Sequence, residues 1–423
     1  MRILVVSQVW EPESGTPQRR WTWLTRALIA AGHDIDVLAP PPHYPTGHLL
    51  DDSPQYQAGS VSPGSNGETI FRTAFREHDA SLESRLADQG LEMLSQWRTG
   101  RDVIRRRRPD LLVATAPPLP AAFVVSALAR TAHLPYVVDL RDAWPDILDN
   151  MNDWEPTTDR PARRSHGSAI AQIKATLFHS MTATGGKMLT ASLASAAGVI
   201  STSSSFAEVL RSRGVARTLT VRNLGAHQSA ELAPRPRHSD TLNILYAGTT
   251  GRAQELANAL RALHDVRERG IDARMRVVGS GAHLKTLRRN AESLGLPVEF
   301  TGRIPFADVS AHYEWADTVL IHLQDWPSMS WTVPSKLYEA LEMGRHISMS
   351  VNGEAADIVN AAHAGDAVPA MDRTALADLW QRLAEDRELL DVDGNGQRWM
   401  REHCDPERSA AELVAFLEEC ARG

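Results

Sequence analysis

A chain of 423 residues exceeds one ordinary hydrophobic core and suits two or three domains. An apolar share of 43% and a charged share of 23% are those of a soluble globular protein. A net charge of −7 argues against nucleic acid as the main partner, and no run reaches the ~18 consecutive apolar residues of a membrane helix. Lys174, Lys187, Lys285 and Lys336 are the only lysines, so arginine carries almost all the positive charge. Cys404 and Cys420 have no metal-ligand spacing and read as reduced thiols of a cytoplasmic protein.

Met1 to Ser7 holds a short apolar run, which suits a first β-strand better than a secretory signal. Ile3–Val6, Ile35–Leu38, Leu111–Ala114, Tyr136–Val138 and Val199–Ser201 are short and rich in Val, Ile or Leu, as strands covered on both faces are. Arg19 to Ala31 is predicted as a helix ended by Gly32. Asp51 to Gly67, rich in Ser, Gly, Pro and Asn, is expected to be a mobile loop. Asn150 to Gly167 is polar and carries Arg160, Arg163 and Arg164. It leads into a helical region, Ser168–Leu189, interrupted by Gly185 and Gly186.

Ala226 to Asp240 breaks the rhythm with two prolines and no apolar periodicity. Beyond it Asn243–Ala247, Met275–Gly279, Val298–Thr301, Thr318–Leu323 and His346–Val351 are the next strands expected. The boundary therefore falls near residue 230, giving domains at 1–225 and 241–400. Residues 401–423 form a C-terminal helix able to return to the first domain. Strand–helix alternation favours two Rossmann-like, doubly wound parallel sheets facing each other across a cleft.

Chemistry concentrates in the second half. Pro334 and Ser335 open a helix, with Ser335 placed to cap it, and the unpaired N–H groups of that first turn suit a diphosphate. Lys336 adds a full charge there. Glu339, a turn further on, can accept from a ribose diol, and Gly344 ends the helix. A capped surface helix with a charged face is the plainer alternative. Ile244 to Gln254 (ILYAGTTGRAQ) reads as strand, glycine turn, helix. Gly248 and Gly251 there permit close approach of a ligand, and Arg252 reaches phosphate.

Taken in order, YAGTTGRAQ, VVGSG, FTGRIP, YEWADTVLIHL and VPSKLYEALEMGR resemble the C-terminal domain of GT-B glycosyltransferases of family 4, nearest the bacterial surface-polysaccharide branch. WEPESGTPQRR from Trp10, YPTG from Tyr44 and DLRDAWP from Asp139 resemble the N-terminal half, so the likeness spans roughly residues 1–400. It implies that Gly15 and its neighbours face the donor diphosphate, and that Arg141 and Asp142 lie near the reacting carbon. A helix-cap role is the alternative for Asp142. It implies further that Gly302, Arg303 and Ile304 touch the nucleobase, that Lys336 and Arg252 bind phosphate, and that Glu339 holds the ribose.

The chain departs from the wider family in two places. The commoner pattern has a glutamate eight positions before Glu339, where this chain has Trp331, and Asp325 is the nearest substitute. Many relatives also carry a histidine near Arg141 and Asp142. The resemblance implies retaining transfer from a nucleotide-sugar, UDP-linked in most such enzymes, to a glycan or polyprenyl-linked acceptor in surface-polysaccharide synthesis. With no D-x-D motif at a strand end, neither metal nor other cofactor is expected. The basic stretch from Arg160 to Leu189 implies reversible contact with an anionic membrane surface on the cytoplasmic side. A nucleotide-sugar epimerase and an inactive nucleotide-sugar-binding scaffold are the alternatives.

Overall fold

A computed structural model describes the chain except residues 14, 45, 80–81, 148–183, 226–231, 233–239 and 306–307. The expected basic stretch with Arg160, Arg163, Arg164 and Lys174 thus lies outside the described residues. The chain divides into two compact units, Met1–Arg222 with Glu407–Gly423, and Asn223–Pro406.

In unit 1 the strands are β1 (Arg2–Val6), β2 (Asp34–Ala39), β3 (Val61–Pro63), β4 (Thr69–Arg72), β5 (Leu111–Ala116), β6 (Tyr136–Leu140), β7 (Gly198–Ser201) and β8 (Thr218–Thr220). They form one sheet in the order β3-β4-β2-β1-β5-β6-β7-β8, parallel except for β3. Ile3 pairs with Ile35 on one side and Leu111 on the other, so the apolar centres of three strands lie in register. Helices α1 (Thr16–Ala30), α2 (Leu82–Arg107), α3 (Pro120–Ala132), α4 (184–194) and α5 (Ser204–Ser212) connect them. Proline in the first turn of α1 fits a position where no N–H is needed. Gly185 and Gly186 lie within α4, and the rest of the helical region expected from Ser168 lies outside the described residues.

One expectation changes here. The segment expected as a loop holds β3, a short edge strand with Val61 opposite Phe71. Its Ser, Gly and Pro content is tolerated because an edge strand pairs on one side only. Helix α2 escapes the sequence pattern because glycine interrupts it. Gly100 is there for space: a Cβ would stand 2.6 Å from Leu128 of α3.

Unit 2 has β9 (Leu242–Ala247), β10 (Ala273–Val278), β11 (Val298–Gly302), β12 (Thr318–His322), β13 (His346–Ser350) and β14 (Gly365–Val368), all parallel, in the order β11-β10-β9-β12-β13-β14. Its helices are α6 (Leu256–Glu268), α7 (Leu284–Ser293), α8 (Val309–Trp315), α9 (Ser335–Met343), α10 (Glu354–Ala362), α11 (Arg373–Glu385) and α12 (Asn395–His403). A core of Leu260, Leu263, Met275, Val277, Leu376 and Trp380 lies between β9, β10, α6 and α11.

The last helix, α13 (Pro406–Arg422), buries Leu413, Phe416, Leu417 and Cys420 in the core of unit 1 beside Ile3, Val137 and Ile200. Gly198 makes room, since a Cβ there would lie 2.5 Å from Phe416. Cys404 and Cys420 are both buried free thiols.

In each sheet the chain reverses direction of growth once, between β1 and β5 in unit 1 and between β9 and β12 in unit 2. Ligands of open α/β sheets bind outside the carboxyl ends of strands at such points.

Candidate functional site

At the reversal point of unit 2, the loops after β9, β10 and β11 are tied together by their backbones. Gly248 N donates to Val278 O (2.8 Å), Thr250 N to Ser280 O (3.1 Å) and Gly279 N to Gly302 O (2.7 Å). The approach is too close for side chains. A Cβ on Gly279, whose φ is +133°, would stand 2.0 Å from Gly248 O, and one on Gly281 2.4 Å from Thr250 O. Gly302 has φ +71° but open space around it, so there the left-handed turn alone requires glycine.

Lys336 sits in the first turn of α9 and reaches back over this loop. Its Nζ donates to Tyr246 Oη (2.5 Å) and lies 4.0 Å from the ring centroid. Tyr246 Oη in turn donates to the Thr249 carbonyl. A Cβ on Gly248 would come within 3.0 Å of Nζ, so the glycine leaves the ammonium room. Desolvation pushes the Lys336 pKa down to about 7, with the charge of Glu339 opposing it. Burial also pushes the Tyr246 phenol up. A cation in this state is poised to gain from an anionic ligand.

The structure thus brings Lys336, Gly248 and the N-terminus of α9 together, with Glu339 one turn along. Ser335 is the first helical residue rather than the cap. Pro334 holds the cap position with extended backbone and no side-chain bond. Gly251 precedes a single 3₁₀ turn, Arg252–Gln254, and its N–H donates to Gln254 Oε1 (3.0 Å). Gln324 N donates to Ala253 O (2.8 Å), and buried His322 at the end of β12 faces Gln254 O (2.8 Å), so the turn carrying Arg252 is fixed to the end of that strand. Burial pushes the His322 pKa down to about 4. Ile304 is partly buried just beyond β11.

Trp331 ends the 3₁₀ turn Pro327–Trp331. Asp325, the substitute acid, is exposed and accepts from Asn352 Nδ2 (2.9 Å).

In unit 1, Gly15 caps α1 with extended backbone, and a Cβ there would lie 3.1 Å from Tyr44. Arg141 follows β6. Its guanidinium donates to the carbonyls of Ala116 (3.3 Å) and Pro117, bridging to the end of β5. Burial raises the pKa of Asp142 against the lowering charge of Arg141. Beneath them a buried ion pair, Arg20 to Asp139 (2.9 Å), with Trp21 Nε1 donating to Asp139 (3.0 Å), fixes α1 to β6. Tyr246, Gly279 and Gly281 are the participants that sequence reasoning leaves out of the site. The glycine-ended strand VVGSG is the only signal for the latter two. Among the described residues no group of three or more His, Cys, Asp or Glu could hold a metal ion. No described helix is long and apolar enough to cross a membrane.

Two doubly wound parallel-sheet units in one chain define the GT-B architecture, and solved structures share it along the full length. Sucrose-phosphate synthase from Thermosynechococcus elongatus is 17% identical, covers 99% of this chain and 98% of its own, and gives a TM-score of 0.68. Anabaena HepE in complex with UDP is 14% identical over 99% of this chain and 100% of its own, with a TM-score of 0.65. WaaG, a glycosyltransferase involved in lipopolysaccharide biosynthesis, is 13% identical over 98% and 99%, with a TM-score of 0.63. No curated protein matches the sequence. Two family models do: residues 15–223 match the glycosyl transferase 4-like domain, and residues 241–386 match glycosyl transferases group 1. The chain is a glycosyltransferase of the GT-B fold.

Proposed function

We propose that the chain is a retaining, metal-independent glycosyltransferase that moves a sugar from a UDP-linked donor to a glycan or polyprenyl-linked acceptor in surface-polysaccharide synthesis. The carrying observation is Lys336, whose Nζ rests against Gly248 and Tyr246 at the N-terminus of α9. Loss of a nucleoside diphosphate leaves negative charge on the departing phosphates. Lys336, the N-terminus of α9 and Arg252 would stabilise that charge, the work a metal ion performs elsewhere. Glu339 is suited to the ribose because it lies on the same helix a turn away. Structural relatives bound to UDP, and to UDP with glucose, support the choice of nucleotide. The involvement of WaaG in lipopolysaccharide synthesis supports the choice of pathway. Release of UDP from UDP-sugars, assayed in EDTA without acceptor, tests the reading. Turnover of at least one UDP-sugar is expected, and activity that needs added divalent metal would overturn the metal-independent step.

A further inference from the structure

The reversal point of unit 1 holds a cavity of about 240 Å³ that the donor chemistry does not use. Gln8 lines it after β1, His43 and Tyr44 after β2, Pro118 after β5, and Asp88 and Glu92 from α2. The volume falls below the about 300–1,000 Å³ of sites for drug-sized ligands, which suits a single ring or a small group.

Its polar lining is incomplete. Glu92 is 2% exposed, yet its Oε1 has no hydrogen-bond partner among the described residues. Gln8 is 4% exposed, and its Nε2 has none either. Asp88 lies one turn before Glu92 on the same face of α2, where two carboxylates repel. One Asp88 oxygen accepts from Arg76 N (2.9 Å), and the other is 3.9 Å from His78 Nε2. A third acid, Glu13, accepts from the N–H groups of Trp10, His43 and Tyr44 and pins the loops after β1 and β2 around the cavity. Burial, with the charges of Asp88 and Glu13, pushes the Glu92 carboxyl well above the usual range. The one lysine or arginine on the lining, Arg85, is exposed.

Buried polar groups without partners are costly, and like charges add to the cost. A ligand that offsets both must bring a positive N–H donor to the acids and a neutral oxygen to the Gln8 amide. An ammonium beside a hydroxyl meets both needs. A uronic acid or phosphate brings a further negative charge to the acids, and a neutral sugar brings no positive one. We propose that this cavity takes an amino sugar of the acceptor, its ammonium bonded to Glu92 and Asp88 and a hydroxyl oxygen accepting from Gln8 Nε2. The inference rests on the glycosyltransferase reading, since it names the acceptor's chemical class.

The test is binding of glucosamine, glucose and glucuronate to the full chain at neutral pH, with and without UDP, followed by ligand-observed NMR. Glucosamine is expected to bind at least tenfold more tightly than glucose, with glucuronate weakest. Glu92→Gln and Asp88→Asn should each erase most of that preference, and a denaturant melt of the full chain reports whether each variant is folded. Should Glu92→Gln fail to fold, Asp88→Asn carries the test. Equal binding of glucose and glucosamine would overturn the proposal. So would a preference for glucuronate, or a glucosamine preference surviving in the folded variants. Absence of UDP binding in the wild-type protein would instead count against the donor assignment and leave the sugar preference to be judged alone.

Discussion

Lys336 combines a task that needs its charge with surroundings that resist it. Its Nζ donates to Tyr246 Oη, and desolvation holds its pKa at about 7. An anionic diphosphate favours the protonated form, so UDP should bind most tightly below pH 7. Affinity should weaken by roughly tenfold per pH unit above that, until the higher pKa of the complex is reached. The effect on folding has the opposite sign. An unfolded lysine keeps its proton to about pH 10.4, so between pH 7 and 10 the unfolded chain binds more protons. Stability without ligand should rise with pH across that window. Lys336→Met should raise stability at pH 6 by about 1–2 kcal/mol, because a desolvated charge is replaced by an apolar chain of similar length. Calorimetric UDP titrations from pH 6 to 9 and denaturant melts at pH 6 check both statements. A flat affinity profile in the wild-type protein would mean that Lys336 keeps its charge throughout.

The glycine turns after β9 and β10 set the geometry that Lys336 depends on. Gly279→Ala drives a Cβ to 2.0 Å from Gly248 O at a φ of +133°, so unit 2 should lose at least about 3 kcal/mol. Gly302→Ala, with φ +71° and no atom within 4 Å, should cost only about 1–2 kcal/mol. Urea denaturation of the two variants gives the comparison, and equal losses would contradict the account of the loop packing. These turns are legible in the sequence because a strand ending in glycine is a local signal. So are the central strands, whose burial on both faces leaves continuous apolar runs such as Leu111–Ala114. Strands β3, β8 and β14 are not, since three or four residues at or near a sheet edge gain their definition from pairing. Tyr246 also escapes, because in an apolar strand it reads as core. Only its neighbourhood with Lys336, ninety residues on, reveals its second role. Glu92 and Gln8 likewise lie on different elements, and no spacing in the sequence links them.

At the scale of the whole molecule, the chain leaves unit 1 at Arg222 and returns to it from Glu407. Leu417 of α13 is fully buried in that unit, so Leu417→Ala should cost about 2–5 kcal/mol in a denaturant melt. A loss below about 0.5 kcal/mol would contradict its place in the core. The sequence from Arg160 to Leu189 motivates a separate expectation, that the protein associates reversibly with an anionic membrane surface. Co-sedimentation with vesicles should then require anionic lipid, weaken with salt and vanish when Arg160, Arg163 and Arg164 become Ser. No sedimentation under any condition would point instead to an acceptor free in solution. The central claim, donor binding at the N-terminus of α9, has a more direct test in the affinity for UDP of the wild-type protein and of Lys336→Ala at pH 6.5. The account predicts clear binding by the wild type and a loss of about 2–4 kcal/mol in a variant that keeps its fold. Equal affinity of the two folded proteins, or no UDP binding by the wild type, would contradict it.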